Sequence, residues 1–172
     1  MRNVVVLAAA LALSLPAAAR AEPQPWDAAK GIAGTTPTGR LEREINRRLL
    51  TESRRNQCSF HTDTDRLAPG CGPKVRRLAN ALVDAKRRLN RAGIRNFKFV
   101  VSGHTDSRGS KSHNKELSAR RAAVIERELV KKGISRDEIE SVGMGSEQRL
   151  VKPDNTPAKQ AQNRRYEIRV RL

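Results

Sequence analysis

The sequence predicts an α/β fold of the α+β kind, a two-layer domain with helices packed on a mixed β-sheet. Three observations predict it. Residues 73–93 and 117–132 carry apolar side chains at helical spacing, while 97–102, 140–144 and 166–172 are short apolar or alternating runs. The two patterns interleave along the chain, as layered sheet-and-helix folds do. From residue 56 onward the expected order is strand, helix, strand, helix, short helical turn, strand, strand, a βαβαβ-β arrangement.

Ahead of that domain, Arg2, the apolar run from Val4 to Leu15 and the small-x-small triplet Ala19-Arg20-Ala21 read as a secretory signal over residues 1–21. The run falls short of the roughly 20 apolar residues that span a membrane, and Pro16 follows it. No cysteine stands at the cleavage site, so lipid attachment there is not expected. Residues 22–39 hold Pro23, Pro25, Gly31, Gly34, Pro37 and Gly39 and read as a linker. Leu41, Ile45 and Leu49 then recur at helical spacing, which predicts a basic amphipathic helix to about Arg55. Residues 22–55 are thus read as linker and helix, and 56–172 as the domain. A transmembrane barrel does not fit between Glu22 and Arg55.

Within the domain, Pro73 opens a helix whose stripe is Val75, Leu78, Leu82, Val83 and Leu89, and Gly93 ends it. Phe97 to Ser102 is a buried strand. The second helix turns Leu117, Val124, Ile125 and Leu129 inward and stops at Gly133. Ser135 with Glu138 forms a capping-box pattern, Glu140 to Met144 a strand, and Tyr166, Ile168, Val170 and Leu172 alternate as the last strand.

Lysine and arginine number 35 against 18 acids, a net charge of +17. Removing the signal takes Arg2 and Arg20 and no acid, so 17 − 2 leaves +15. Such a field draws polyanions, and export excludes nucleic acid as the partner, leaving peptidoglycan carboxylates or anionic lipid head groups. A genome that favours arginine is the competing explanation for the residue choice. Aromatics make up 3%, so aliphatic side chains must build the core. Cys58 and Cys71, an even pair in an oxidising compartment with turn residues around Cys71, read as a disulfide, two buried free thiols being the alternative.

The stretch Gly103-His104-Thr105-Asp106, followed by Asn114-x-x-Leu117-Ser118-x-x-Arg121-Ala122-x-x-Ile125-x-x-x-Leu129, resembles the OmpA-like C-terminal domain family. Phe60, Leu67 and Pro69, then Gly143-x-Gly145, then Asn163-Arg164-Arg165-x-Glu167 extend the resemblance over about residues 57–172. The chain departs from the family pattern at Thr62, where an apolar residue is usual, followed by Asp63 and Asp65. The resemblance implies a non-enzymatic protein of the periplasm or cell envelope, without cofactor. It would hold the diaminopimelate of the peptidoglycan stem non-covalently at Asp106 and Arg121, in solution or associated with the outer membrane.

The chemistry of those residues agrees. A free amino-acid centre is zwitterionic: its ammonium needs a carboxylate and its carboxylate suits a guanidinium fork. Thr105, Asn114, Leu117, Asn163 and Arg165 are secondary candidates, and Arg120 reads as a solvated charge. The competing structural role has Asp106 and Arg121 bridging each other, or Asp106 capping its own loop. A rival class, a metal-dependent hydrolase, would use His61, Asp63, Asp65, His104, Asp106 and His113. Their spacing matches no metal motif, and no Gly-x-Ser-x-Gly elbow is present. An adaptor reading would have residues 22–55 bind an outer-membrane or envelope protein or anionic lipid.

Overall fold

The computed structural model describes residues 36–61 and 63–172, so the expected signal, most of the linker and Thr62 lie outside the described residues. Apolar side chains on both faces of one strand place it at the middle of a sheet. That strand is β1 (Lys98–Gly103), buried from Phe99 onward. It pairs in parallel with β2 (Ile139–Gly143) and antiparallel with β3 (Tyr166–Arg171), giving the order β2-β1-β3 and a mixed sheet. Among the described residues four α-helices accompany it: α1 (Pro37–Arg55), α2 (Cys71–Arg91), α3 (Lys111–Lys131) and α4 (Pro157–Asn163). Leu82 and Leu89 of α2, Ile125 and Leu129 of α3, and Phe99 and Val101 of β1 are fully buried in one apolar cluster. The aromatic contribution is small, Phe97 and Phe99 meeting edge to face at 5.3 Å.

Several boundaries differ from the sequence expectation, each for a local reason. Helix α3 starts six residues before Leu117 because Ser110 caps it, accepting from the His113 amide at 3.2 Å, and its first turns carry no apolar stripe to read. Helix α4, capped by Thr156, was not expected, being short and polar. The Ser135 side chain makes no cap, and residues Arg136–Glu138 form a 3-10 turn that leads straight into β2.

The expected first strand reduces to a single bridge between Phe60 and Leu67. Its backbone closes on itself, with His61 N donating to Arg66 O at 3.0 Å and Ala68 N to Ser59 O at 2.9 Å. Asp63 takes a left-handed φ of 54° at the turn, and exposed charges there suit water rather than a sheet interior.

The β3 edge of the sheet is covered by a helix instead of a strand. Residues 37–55, grouped with the basic extension in the sequence reading, pack as α1 along β3. Asn46 accepts from Val170 N at 2.7 Å and donates to Val170 O at 3.1 Å, Ser53 Oγ accepts from Ile168 N at 3.1 Å, and Gln57 bonds both backbone groups of Tyr166. Side chains of α1 and of Gln57 just beyond it thus satisfy alternate residues of an edge strand, replacing a strand partner. The Cys58–Cys71 disulfide, with Cα atoms 5.3 Å apart, ties the chain after α1 to the first residue of α2.

Candidate ligand-binding site

Two glycines bring the site together. Gly103 and Gly143 pair at the ends of β1 and β2, and α3 lies so close that a Cβ on either would fall 2.2 Å from Ser118 O or 2.4 Å from Lys115 O. Only glycine permits that approach. Ser118, fully buried, accepts from Gly145 N at 2.9 Å, and Gly145 O accepts from Thr105 N at 2.9 Å. The seam between sheet and helix therefore sets where the chain leaves β1, at Thr105 and Asp106, relative to α3.

Asp106 is 7% exposed at this exit. Its Oδ1 accepts from Arg108 N at 3.0 Å, an Asx-type turn, and its Oδ2 accepts from Arg164 Nη1 at 2.7 Å. The following residue is held from outside: Asp154 receives Ser107 N at 2.9 Å, Ser107 Oγ at 2.6 Å, Arg149 Nη1 at 3.0 Å and Asn163 Nδ2 at 3.0 Å. The hydrogen bonds from Ser107, against the cost of burial, hold the Asp154 carboxyl well below the usual carboxylate range.

Arg121 is half-buried on α3. Its Nε donates to Thr64 O at 2.8 Å and Nη2 to His61 O at 3.4 Å, and its guanidinium stands 5.1 Å from the centre of the Phe60 ring. These contacts orient the guanidinium plane, and among the described residues Nη1 donates to no acceptor. Burial pushes the Arg121 pKa down, Arg164 adds to that push, and Asp63, Asp106 and Asp65 oppose it. Asp106 and Arg121 thus sense each other's charge, yet the ion pair Asp106 makes is with Arg164. The loop at 61–66 that Arg121 holds is fastened a second time by His113 Nε2, 2.8 Å from Asp63 Oδ1.

The secondary candidates separate. Thr105 is buried beside Asp106, and its Oγ1 has no hydrogen-bond partner among the described residues. Asn114 ties the 108 loop to α3 through Nδ2 to Arg108 O at 2.8 Å, and Leu117 is buried apart from the main apolar cluster. Asn163 knots its own loop, accepting from Leu150 N and Val151 N. Arg165 turns away and is nearly buried against Glu167, 2.9 Å from its Oε1. Burial lowers the Arg165 pKa and Glu167 opposes it. Arg120 pairs on the surface with Glu116. Sequence reasoning missed Arg164, whose side chain faces Asp106, and Asp154; the motif Asn163-Arg164-Arg165 was the available signal for Arg164. His104, one of the residues of the metal reading, is buried, with neither ring nitrogen bonded among the described residues. Among the described residues no three His, Cys, Asp or Glu side chains gather as a metal site.

Residues 59–164 match the OmpA family. The chain belongs to that family. Among its relatives, a peptidoglycan-associated lipoprotein of Pseudomonas putida is 42% identical over 72 residues, covering 42% of this chain and 43% of that protein. The peptidoglycan-associated lipoprotein of Rhizobium meliloti is 28% identical over 167 residues, covering 95% and 85%. The chain therefore spans less than half the length of the Pseudomonas relative it matches. In three dimensions it is similar to the peptidoglycan-associated lipoprotein of Burkholderia pseudomallei, with a TM-score of 0.55 at 23% identity over 67% of this chain and 89% of that one. The periplasmic domain of Helicobacter pylori MotB superposes with a TM-score of 0.54 at 19% identity over 66% and 69%. At these identities the likeness is one of fold, and it is the α+β arrangement expected.

Proposed function

We propose that this chain binds peptidoglycan non-covalently by gripping the zwitterionic centre of diaminopimelate, and so tethers itself to the cell wall without catalysing a reaction. One observation carries the reading: Arg121 feels the charge of Asp106, yet the carboxylate pairs with Arg164 and the guanidinium donates to backbone carbonyls, so the two are not paired to each other. Membership of the OmpA family and the names of its peptidoglycan-associated relatives support the ligand class. They also support a place in the cell envelope. The ammonium would meet Asp106 and the carboxylate the Nη1 side of Arg121, while the buried Thr105 hydroxyl, next to Asp106 in the chain, would offer a further hydrogen bond.

Most of the wider attraction to an anionic wall is electrostatic. Helices α1 and α2 alone carry 6 + 7 = 13 Lys and Arg against 3 + 1 = 4 acids. This part fades as salt rises, the Debye length being about 8 Å at physiological ionic strength, whereas the close contacts at Asp106 and Arg121 persist.

Calorimetric titration with a diaminopimelate-containing stem peptide tests the assignment. Asp106→Ala and Arg121→Ala should each cost about 2 to 5 kcal/mol of binding, and Arg121→Lys should recover part of it, since a point charge cannot offer two parallel bonds. Arg120→Ala changes the charge equally on the same helix and should leave binding intact. Equal losses in Arg120→Ala and Arg121→Ala would overturn the assignment in favour of general electrostatics.

A further inference from the structure

Resting on the reading just proposed, we infer that Arg164 is a specificity-determining residue of this site, an internal stand-in for the ligand ammonium that must be displaced and re-paired when a stem peptide binds. Its Nη1 lies 2.7 Å from Asp106 Oδ2, while Arg108 N already occupies Oδ1. The cation seat on Asp106 is therefore filled by the protein's own guanidinium. The Arg164 side chain is 44% exposed and Asp106's 10%, so the guanidinium can swing out while the carboxylate stays. Backbone position supports that asymmetry. Arg164 follows α4 directly and precedes β3, and of the Asn163-Arg164-Arg165 run only Arg164 is exposed, its neighbours being locked by Asp154 and Glu167.

Exchange makes the site read two charges together. An ammonium that takes the seat on Asp106 ejects a guanidinium into the space it shares with Arg121. A ligand whose ammonium stands beside a carboxylate re-pairs that guanidinium, because a carboxylate offers about four acceptor positions and can serve Arg121 and Arg164 at once. A bare amine sacrifices the Asp106–Arg164 pair and returns nothing. The geometry thereby selects a side chain ending in an amino-acid centre, such as diaminopimelate, over one ending in an amine, such as lysine.

The test compares two amidated stem peptides, identical except for meso-diaminopimelate or L-lysine at the third position, titrated into wild-type protein and Arg164→Ala, with Arg164→Gln as a second variant should alanine perturb folding. In the variant the diaminopimelate peptide should change by no more than about twofold, one pair having been traded for another. The lysine peptide should tighten by roughly fivefold, the upper range of a solvent-screened ion pair. Selectivity narrows because the poorer ligand improves, which a merely structural role would not produce. Equal tightening of both peptides, equal weakening, or no change in either overturns the inference. Failure of the wild-type protein to bind the diaminopimelate peptide, or binding indifferent to Asp106→Ala, overturns the underlying assignment instead.

Discussion

Asn46→Ala isolates the device that lets a three-stranded sheet end at β3. The Asn46 amide makes two hydrogen bonds to the backbone of Val170, a residue only 2% exposed, so truncation leaves a buried N–H and a buried C=O unpaired. An intramolecular hydrogen bond contributes about 1 kcal/mol net, and an orphaned buried group costs about 1 to 3 kcal/mol. With partial rehydration at the sheet edge, the loss comes to about 3 kcal/mol. For a domain of this size each kcal/mol moves the melting temperature by about 3 to 4 °C, so a drop of roughly 10 °C is expected. Thermal melting, with urea unfolding at constant slope to confirm two-state behaviour, gives the readout. Thr51→Ala, which removes an exposed hydroxyl bond to Arg47 O on the same helix, should shift melting by under about 2 °C. A drop in Asn46→Ala no larger than in that control would refute the account of α1 as an edge cap. An uncovered β3 should also self-associate, visible as concentration-dependent elution in size-exclusion chromatography.

Reduction of the Cys58–Cys71 bond should cost about 3 kcal/mol on the chain-entropy account of a short loop, and equal urea midpoints with and without reductant would sink it. Gly143→Ala places a Cβ 2.4 Å from Lys115 O and 2.6 Å from Ala119 N, backbone atoms that cannot yield without moving α3. It should destabilise by about 2 to 3 kcal/mol and weaken stem-peptide binding, a result refuted if melting and affinity both stay at wild-type values. His104 is held at a pKa of about 4 against an ordinary 6.5, by burial first, with Arg165 and Arg169 adding and Glu167 opposing. The folded state therefore resists protonation: the stability tied to neutral His104 is whole above pH 6.5 and is lost as pH falls toward 4, at most about 3 kcal/mol. His104→Leu should flatten the melting curve between pH 6.5 and 5, where few carboxylates titrate, and parallel curves for variant and wild type would exclude this source.

Where periodicity alone decides position, most of the expected core was legible, though Leu172, expected in the last strand, lies beyond β3 and is exposed. Val75, Leu78, Leu82 and Leu89 lie on the buried stripe of α2, Tyr166, Ile168 and Val170 alternate into the core, and β1 is buried on both faces. The positions of Asp106 and Arg121 in the fold were legible for the same reason, one following a strand and the other riding a long helix whose phase is set by Leu117, Ile125 and Leu129. What stayed hidden depends on polar backbone accounting. Asn46, Ser53 and Gln57 look like the solvent face of a basic helix until β3 is seen to need edge partners, and no local pattern states that need. Between Phe60 and Leu67 the expected strand gives way to a backbone pairing of its own, His61 N donating to Arg66 O, which no side-chain period reports.

The exchange of Arg165 for Arg164 shows the limit at the level of one residue. A run of asparagine and two arginines before an alternating strand invites extrapolating the strand's phase backward. On that phase Arg165 falls with Glu167 and Arg169, and the three do form one network, with Glu167 Oε1 on Arg165 and Oε2 on Arg169 at 3.3 Å. Arg164 would then share a face with Tyr166 in the core, which a guanidinium cannot do uncompensated. The contradiction resolves because α4 ends at Asn163 and Arg164 is its C-cap, with φ −75° and ψ 87°, so strand phase does not reach it. A short helix without an apolar stripe is what frees Arg164 to face Asp106, and hence the partner of the Asp106 carboxylate is set by the element whose sequence signal is weakest.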